Sequence, residues 1–200
     1  MSKLLLATSN PGKIREYRPL LSGLGYQVVT LAEQGIASMA TESGDSYEQN
    51  ACLKAATYAK SSQLVTLADD SGLEVDALGG EPGIHSARFG GKDATDADKV
   101  GTLLARLAGI PWEKRTAHFK CVIAIVTPEG QSELCYGECH GIIAFEVKGE
   151  NGFGYDPIFY LPEMGKTMAE LPMEIKNQIS HRGQAAQKAR QVLQRFYGCL

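Results

Sequence analysis

The run Thr116-Ala117-His118-Phe119-Lys120-Cys121-Val122-Ile123-Ala124-Ile125-Val126-Thr127, followed by Pro128-Glu129-Gly130 and a second run from Ser132 to Val147, decides the fold class. Ala117, Phe119, Cys121, Ile123 and Ile125 alternate with His118 and Lys120, which is the two-residue period of a strand. Beyond Lys120 the second face turns apolar too, at Val122, Ala124 and Val126, so this strand is covered on both faces. The Pro-Glu-Gly turn makes the two runs a long hairpin. A hairpin of this length at the centre departs from regular strand–helix alternation and predicts a mixed sheet.

Working outward, Lys3–Ala7 reads as a buried strand, Ile14–Leu24 as a helix and Gln27–Leu31 as a second strand. Asp45 with Glu48 three residues later is a capping signature for a helix over Ser46–Ser61, with Ala51, Ala55, Tyr58 and Ala59 on its buried face. Leu64–Ala68 predicts a third strand ending at an acidic pair, and Leu73–Ala77 a short one before the loop Gly79-Gly80-Glu81-Pro82-Gly83. Thr95 with Asp98 opens a helix through Leu107. After the hairpin come a brief strand at Ile158–Tyr160, a short helix at Pro172–Ile179 and a last helix at His181–Tyr197, striped by Ala185, Ala189, Val192, Leu193 and Phe196. No repeat or linker divides the chain. The expectation is one α/β domain of mixed sheet and flanking helices, with two lobes and a cleft as a natural arrangement.

The chain has 200 residues and 44% hydrophobic content, ample for a buried core. A formal net charge of −3 argues against a broad nucleic-acid surface but leaves room for a local cationic cluster facing a small anion. The apolar start Leu4-Leu5-Leu6-Ala7 breaks at Ser9-Asn10-Pro11-Gly12, too short for a signal peptide, and no later run reaches the length of a membrane span. The five cysteines, Cys52, Cys121, Cys135, Cys139 and Cys199, form no paired CxxC spacing. Neither a disulfide framework nor a zinc site is indicated, and a reducing cytoplasm is the expected location. Cys135, Cys139 and His140 read better as strand residues than as metal ligands.

Four segments carry chemistry. In Leu67-Ala68-Asp69-Asp70-Ser71-Gly72, adjacent carboxylates suit a divalent metal, one entering a site and the other meeting supporting groups. The same residue types also favour a turn closing a strand. Thr8-Ser9-Asn10-Pro11-Gly12-Lys13, between first strand and first helix, offers hydroxyls, a lysine and helix-start amides as a phosphate cradle. It lacks the first glycine of a Walker A loop, and Ile14 stands where Ser or Thr should follow the lysine. In Gly149-Glu150-Asn151-Gly152-Phe153-Gly154-Tyr155-Asp156-Pro157, glycines bracket two rings that could stack on a nucleobase or plug a core. Lys176 and Ser180-His181-Arg182 gather donors at the start of the last helix, for an anion or a carbonyl oxygen, unless Ser180 merely caps and the others are solvated.

Taken together, Ala7-Thr8-Ser9-Asn10 with Gly12-Lys13, Glu48-Asn50-Ala51 with Lys54, Ala68-Asp69-Asp70-Ser71-Gly72, Pro82-Gly83-Ile84 with Ser86-Ala87-Arg88, Gly152 to Pro157, and Ser180-His181-Arg182 resemble the inosine triphosphate pyrophosphatase family. Those enzymes hydrolyse non-standard purine nucleoside triphosphates such as dITP, ITP and XTP. The resemblance runs from Leu6 to Arg182. It implies an elongated two-lobed ITPase-like α/β fold with the active site in the cleft, a Mg²⁺-dependent reaction giving monophosphate and pyrophosphate, and a cytoplasmic homodimer with no nucleic-acid or membrane partner. By position it makes Asp70 the catalytic acceptor and a metal ligand, and Ser71 a substrate contact. Thr8, Ser9, Asn10, Pro11, Gly12 and Lys13 would hold phosphates, while Phe153, Gly154, Tyr155, Asp156, Lys176, His181 and Arg182 would line the nucleoside pocket. The departure is Met39-Ala40-Thr41-Glu42-Ser43-Gly44, where the family commonly has two consecutive acidic residues; Glu42 is assigned as metal ligand, with Thr41 the other candidate position.

The expected mechanism is in-line attack of a water oriented by Asp70, with Lys13 and backbone amides stabilising the departing pyrophosphate. Donors from His181 and Arg182 would meet the 6-oxo oxygen of hypoxanthine or xanthine and disfavour adenine. Two other readings stand beside this one: a nucleotide-binding regulator without turnover, and a pyrophosphatase of another base preference acting on dUTP, dTTP or modified pyrimidines.

Overall fold

A computed structural model describes residues 2–37, 43–91 and 93–197, without the side chain of Tyr197. β1 (Lys3–Leu6) leads into α1 (Pro11–Leu20), which begins three residues before the predicted Ile14. Pro11 supplies a first-turn residue that needs no amide partner, and Asn10 caps the helix by accepting from the amides of Gly12 at 2.8 Å and Lys13 at 3.2 Å. The helix ends at Leu20 rather than Leu24, yet Leu21 and Leu24 remain buried beyond its end. β2 (Gln27–Thr30) follows.

α2 (Tyr47–Ser62) is capped by Ser46, whose hydroxyl accepts from the Gln49 amide at 3.2 Å; the cap is therefore one residue later than the Asp45/Glu48 signature predicts. Its predicted stripe of Ala51, Ala55, Tyr58 and Ala59 is buried. α3 (Asp96–Arg106) opens with the expected reciprocal box between Thr95 and Asp98.

β3 (Val65–Val75) is the chief correction. The sequence predicts two short strands broken at the acidic pair, whereas one strand of 11 residues runs straight through Asp69, Asp70, Ser71 and Gly72. Turn-favouring residues are held extended because their polar groups find partners in the fold; beyond the pair, the Leu73 amide donates to the Ser86 hydroxyl at 2.9 Å.

The hairpin is present as β4 (Thr116–Val126) and β5 (Ser132–Ile143). At its turn the Thr127 amide donates to Gln131 O and the Gly130 amide to Thr127 O, each at 2.9 Å, with Gly130 at φ +92°. β5 stops four residues before the predicted Val147. The buried Arg115 guanidinium donates to the carbonyls of Ile143 at 2.7 Å and Ala144 at 3.0 Å, and the Ala144 amide turns to Ile158 O. β6 (Phe159–Leu161) and the unpredicted β7 (Lys166–Thr167) add antiparallel strands, followed by α4 (Met173–Ile179) and α5 (His181–Tyr197).

The seven strands form one mixed sheet in the order β2-β1-β3-β4-β5-β6-β7, with β1 parallel to both β2 and β3. The fold class is thus α/β, as predicted. The chain divides into two compact units, Met1–Asp70 with Cys121–Gly137 and Arg182–Leu200, and Ser71–Lys120 with Glu138–His181. The first is built on Leu4 and Leu6 of β1, Tyr17 of α1, Cys121, Ile123 and Ile125 of β4, and Ala185, Ala189 and Leu193 of α5. The second is built on Leu73, Leu103, Phe119, Ile143, Ile158 and Phe159. No helix among the described residues is long and apolar enough to cross a membrane.

Candidate active site

Because consecutive strand residues face opposite ways, β3 sends the two carboxylates of its acidic pair to different partners. Asp69 lies 2.7 Å from the Lys13 ammonium and 3.9 Å from Arg182 Nε. Asp70 accepts from Lys54 Nζ at 3.2 Å on one oxygen and from Asn50 Nδ2 at 3.3 Å on the other. Lys54 also donates to Asp69 O at 2.6 Å, so one ammonium fixes both the backbone and the side chain of the pair. Both aspartates are buried. The turn reading of this segment is excluded.

Burial alone would push the Asp69 carboxyl up, but Lys13, then Arg182, then Lys54 outweigh it, and the group is held below the usual carboxylate range. Its other oxygen, Oδ1, is buried with no hydrogen-bond partner among the described residues. Arg182 is not solvated: it is 2% exposed and donates from Nη1 to Glu16 Oε2 at 2.6 Å. Burial would lower its pKa, yet the anionic neighbours, Glu16 foremost, carry it above the ordinary arginine value.

The Thr8–Lys13 segment carries a correction to its expected chemistry. The amides of Gly12 and Lys13 are already taken by the Asn10 side chain, and the Asn10 amide donates to Thr8 Oγ1 at 3.2 Å. What the segment presents to an anion is the Lys13 ammonium and the exposed Ser9 and Asn10 rather than a nest of open amides. Glu42 and Thr41 lie outside the described residues. Gly44 is described, and its amide donates to Asn50 Oδ1 at 2.9 Å, so Asn50 joins the end of that segment to Asp70.

In the second unit, Ser71 is half-buried at the start of the unit's share of β3. The Asp156 carboxylate accepts from the Phe153 amide at 2.8 Å and pairs with the Lys176 ammonium. That ammonium lies 5.2 Å from the Phe153 ring centroid, within cation–π range. Gly154 donates its amide to Asp96 Oδ2 at 2.7 Å. Tyr155 takes the core role: it is buried, and its hydroxyl donates to Ser86 O at 2.9 Å, so its ring is no free stacking surface. His181 is buried and stacks on Phe119, centroids 4.6 Å apart and planes 12° off parallel.

The structure thus gathers Lys13, Asp69, Asp70 and Arg182 in the first unit, and Phe153, Asp156 and Lys176 in the second. Sequence reasoning assigned no role to Asn50, Lys54 or Glu16. A signal existed for the first two, since Asn50 and Lys54 are polar residues four apart on the face that carries Ala51 and Ala55; Glu16 had none.

The comparisons extend over nearly all of this geometry. The model of the Ham1 family matches residues 4–192. A protein of Desulforamulus reducens named dITP/XTP pyrophosphatase is 50% identical, over 98% of this chain and 97% of its own. Among solved structures, a HAM1 protein from Coxiella burnetii is 41% identical with a TM-score of 0.88, covering 98% of this chain and 100% of that one. The Staphylococcus aureus Ham1 protein is 40% identical with a TM-score of 0.86 and the same coverage. With its acidic strand, its capped lysine loop and a full-length match in sequence and fold, the chain belongs to the Ham1 family.

Proposed function

We propose that this chain is a nucleoside triphosphate pyrophosphohydrolase that converts dITP, ITP and XTP to the monophosphate and pyrophosphate. The observation that carries the reading is the split acidic pair of β3, each carboxylate braced by its own lysine. A site for phosphate binding alone would not bury two adjacent carboxylates. The name dITP/XTP pyrophosphatase of the Desulforamulus reducens relative supports the substrate class.

The residues suit Mg²⁺, a hard ion held by carboxylates and substrate phosphates. The buried Asp70 carboxylate supplies hard oxygens, while the nearby Cys121 thiol, 3.9 Å from Asp69 Oδ2, is kept protonated by burial and is no competing soft ligand. Asp70 would hold the ion, with Glu42, assigned by the resemblance and outside the described residues, as the further carboxylate. When bound, Mg²⁺ supplies charge withdrawal from the phosphate oxygens.

The chain's own groups do the rest. Lys54 and Asn50 hold the Asp70 carboxylate, which orients water toward the α-phosphorus. Lys13, released from Asp69 toward the substrate, offsets charge on the departing pyrophosphate. Arg182, anchored by Glu16, keeps positive charge beside Asp69 and so keeps that carboxylate ionised. Phe153 and Lys176, with His181, serve the nucleoside, and a donor facing the 6-oxo oxygen would oppose adenine's 6-amino group at about 1–3 kcal/mol, roughly 5- to 150-fold in rate. Arg182, whose Nη1 is committed to Glu16 and whose guanidinium sits beside Asp69, is the weaker candidate for that donor and His181 the stronger. The proposal includes a cytoplasmic homodimer.

Pyrophosphate release from ITP, dITP, XTP, GTP, ATP and dTTP tests the reading, with Asp70→Asn as control. We expect turnover of the inosine and xanthine nucleotides, ATP at least about fivefold slower, and none in Asp70→Asn. Equal rates for ATP or dTTP would overturn the base assignment, and ITP binding without turnover would replace the enzyme by a regulator.

A further inference from the structure

Away from the acidic pair, the second unit carries a cluster that the proposed reaction does not use. Arg115 O accepts from the Ile143 amide at the far end of the hairpin, and three residues inward on each antiparallel strand the partners are His118 and His140. Their rings meet edge to face, with Nδ1 atoms 2.8 Å apart. Glu138, two residues from His140 and on the same face of β5, puts Oε1 3.7 Å from His118 Nδ1 and 3.7 Å from His140 Nε2. Ligand atoms of the three residues all lie within 4.8 Å of one another.

We propose that His118, Glu138 and His140 bind a divalent first-row transition metal ion such as Zn²⁺, with Asp76 as the residue that positions His118. Two imidazoles and one carboxylate are a borderline donor set that Mg²⁺ does not favour, and they leave a fourth position for water. Tetrahedral ligands at about 2.0–2.2 Å from zinc lie roughly 3.3–3.6 Å apart, so a cluster whose ligand atoms lie within 4.8 Å of one another closes on an ion by side-chain shifts of about 1 Å. The orientation of His118 is already that of a ligand. Its Nε2 faces Asp76 Oδ1 at 2.9 Å, while Asp76 Oδ2 accepts from the Thr116 hydroxyl at 2.5 Å. A carboxylate on one ring nitrogen places the proton there and leaves the Nδ1 lone pair for the metal. His118 is half-buried and the other two are exposed, so the ion has access. Bound metal would staple β4 to β5 and both to the turn that follows β3.

Calorimetric titration of the intact protein with Zn²⁺ tests this, with unfolding followed at a matched excess. One equivalent should bind, and Tm should rise by about 5–10 °C at a hundredfold excess over Kd. His140→Ala should abolish that equivalent, and Asp76→Asn should weaken it about 10- to 100-fold without touching a ligand atom. Asp70→Asn should leave it in place, which separates this site from the proposed Mg²⁺ site and from the fate of the pyrophosphatase reading. Absence of stoichiometric binding, unchanged binding in His140→Ala, or loss of the equivalent in Asp70→Asn would each overturn the proposal.

Discussion

At the scale of single residues the deciding fact is that charge is buried in pairs. Asp69 is 2% exposed and faces Lys13 and Arg182, themselves well covered. Removing one member of a buried set leaves the others desolvated without compensation. Asp69→Asn should therefore cost about 2–3 kcal/mol of unfolding free energy, below the fullest values for such losses because Arg182 keeps Glu16 and Lys13 can reach water. Urea unfolding measures this, and a change under about 0.5 kcal/mol, the size of an ordinary surface substitution, would show that the pair stabilises nothing. The roles of Asp69 and Asp70 were partly legible in the sequence, because adjacency on a strand implies opposite faces. Glu16 was not legible: a carboxylate in the first helix gives no sign that an arginine 166 positions later will claim it. Tyr155 shows the converse, an aromatic in a ligand-like loop that the core takes instead.

At the scale of elements, the loop between β5 and β6 depends on a glycine with no room for a side chain. Gly152 has φ +76°, and a Cβ there would stand 2.0 Å from Asp156 Oδ2, the oxygen that accepts from Phe153 and pairs with Lys176. Gly154 has φ +64° with nothing within 4 Å of the same added atom. Both substitutions meet the left-handed backbone penalty of about 1–2 kcal/mol, but only one also meets the carboxylate. Gly154→Ala should thus cost about 1 kcal/mol and Gly152→Ala about 3 kcal/mol or more, with a KM for ITP raised tenfold or more by Gly152→Ala because Lys176 loses its anchor. Equal losses of stability in the two variants would refute the steric account. Long periodic elements were the legible ones here: the hairpin, α5 and the Thr95/Asp98 box stand where patterning puts them. β3 was misread because Asp-Asp-Ser-Gly is turn chemistry locally, and what holds it extended, Lys54, Lys13 and Ser86, comes from distant parts of the chain. The end of β5 was misread for the same reason, since Arg115, the residue before β4, claims the carbonyls of Ile143 and Ala144.

At the scale of the whole molecule, the buried titratable groups set opposite limits on the pH range of stability. Asp69 is held below its ordinary value of about 3.9, so its contribution is fully present above that pH and is lost as pH falls through the folded value. The thiols act at the other end. Burial pushes Cys121 up to about 12, with Asp69 adding to the effect, and Cys139 up to about 11. An unfolded thiol ionises near 8.5, so below that pH both states keep the proton and the contribution is complete. Above it the unfolded chain releases protons that the folded chain retains, and stability falls by as much as about 1.4 kcal/mol per pH unit for each thiol until the folded value is reached. Under reducing conditions Tm should therefore be flat between about pH 5 and 8 and fall on either side. Two variants assign the arms. Asp69→Asn should make the acid arm shallower, leaving the part due to the other lowered carboxylates such as Asp76. Cys121→Ala, less stable at pH 7 because it opens a small cavity, should lose part of the thiol-driven slope between about pH 9 and 11, the rest coming from Cys139, Cys135 and Cys52. An alkaline slope unchanged in Cys121→Ala would mean that the thiol beside Asp69 keeps no proton that the unfolded chain gives up, and that the high-pH limit arises elsewhere in the molecule.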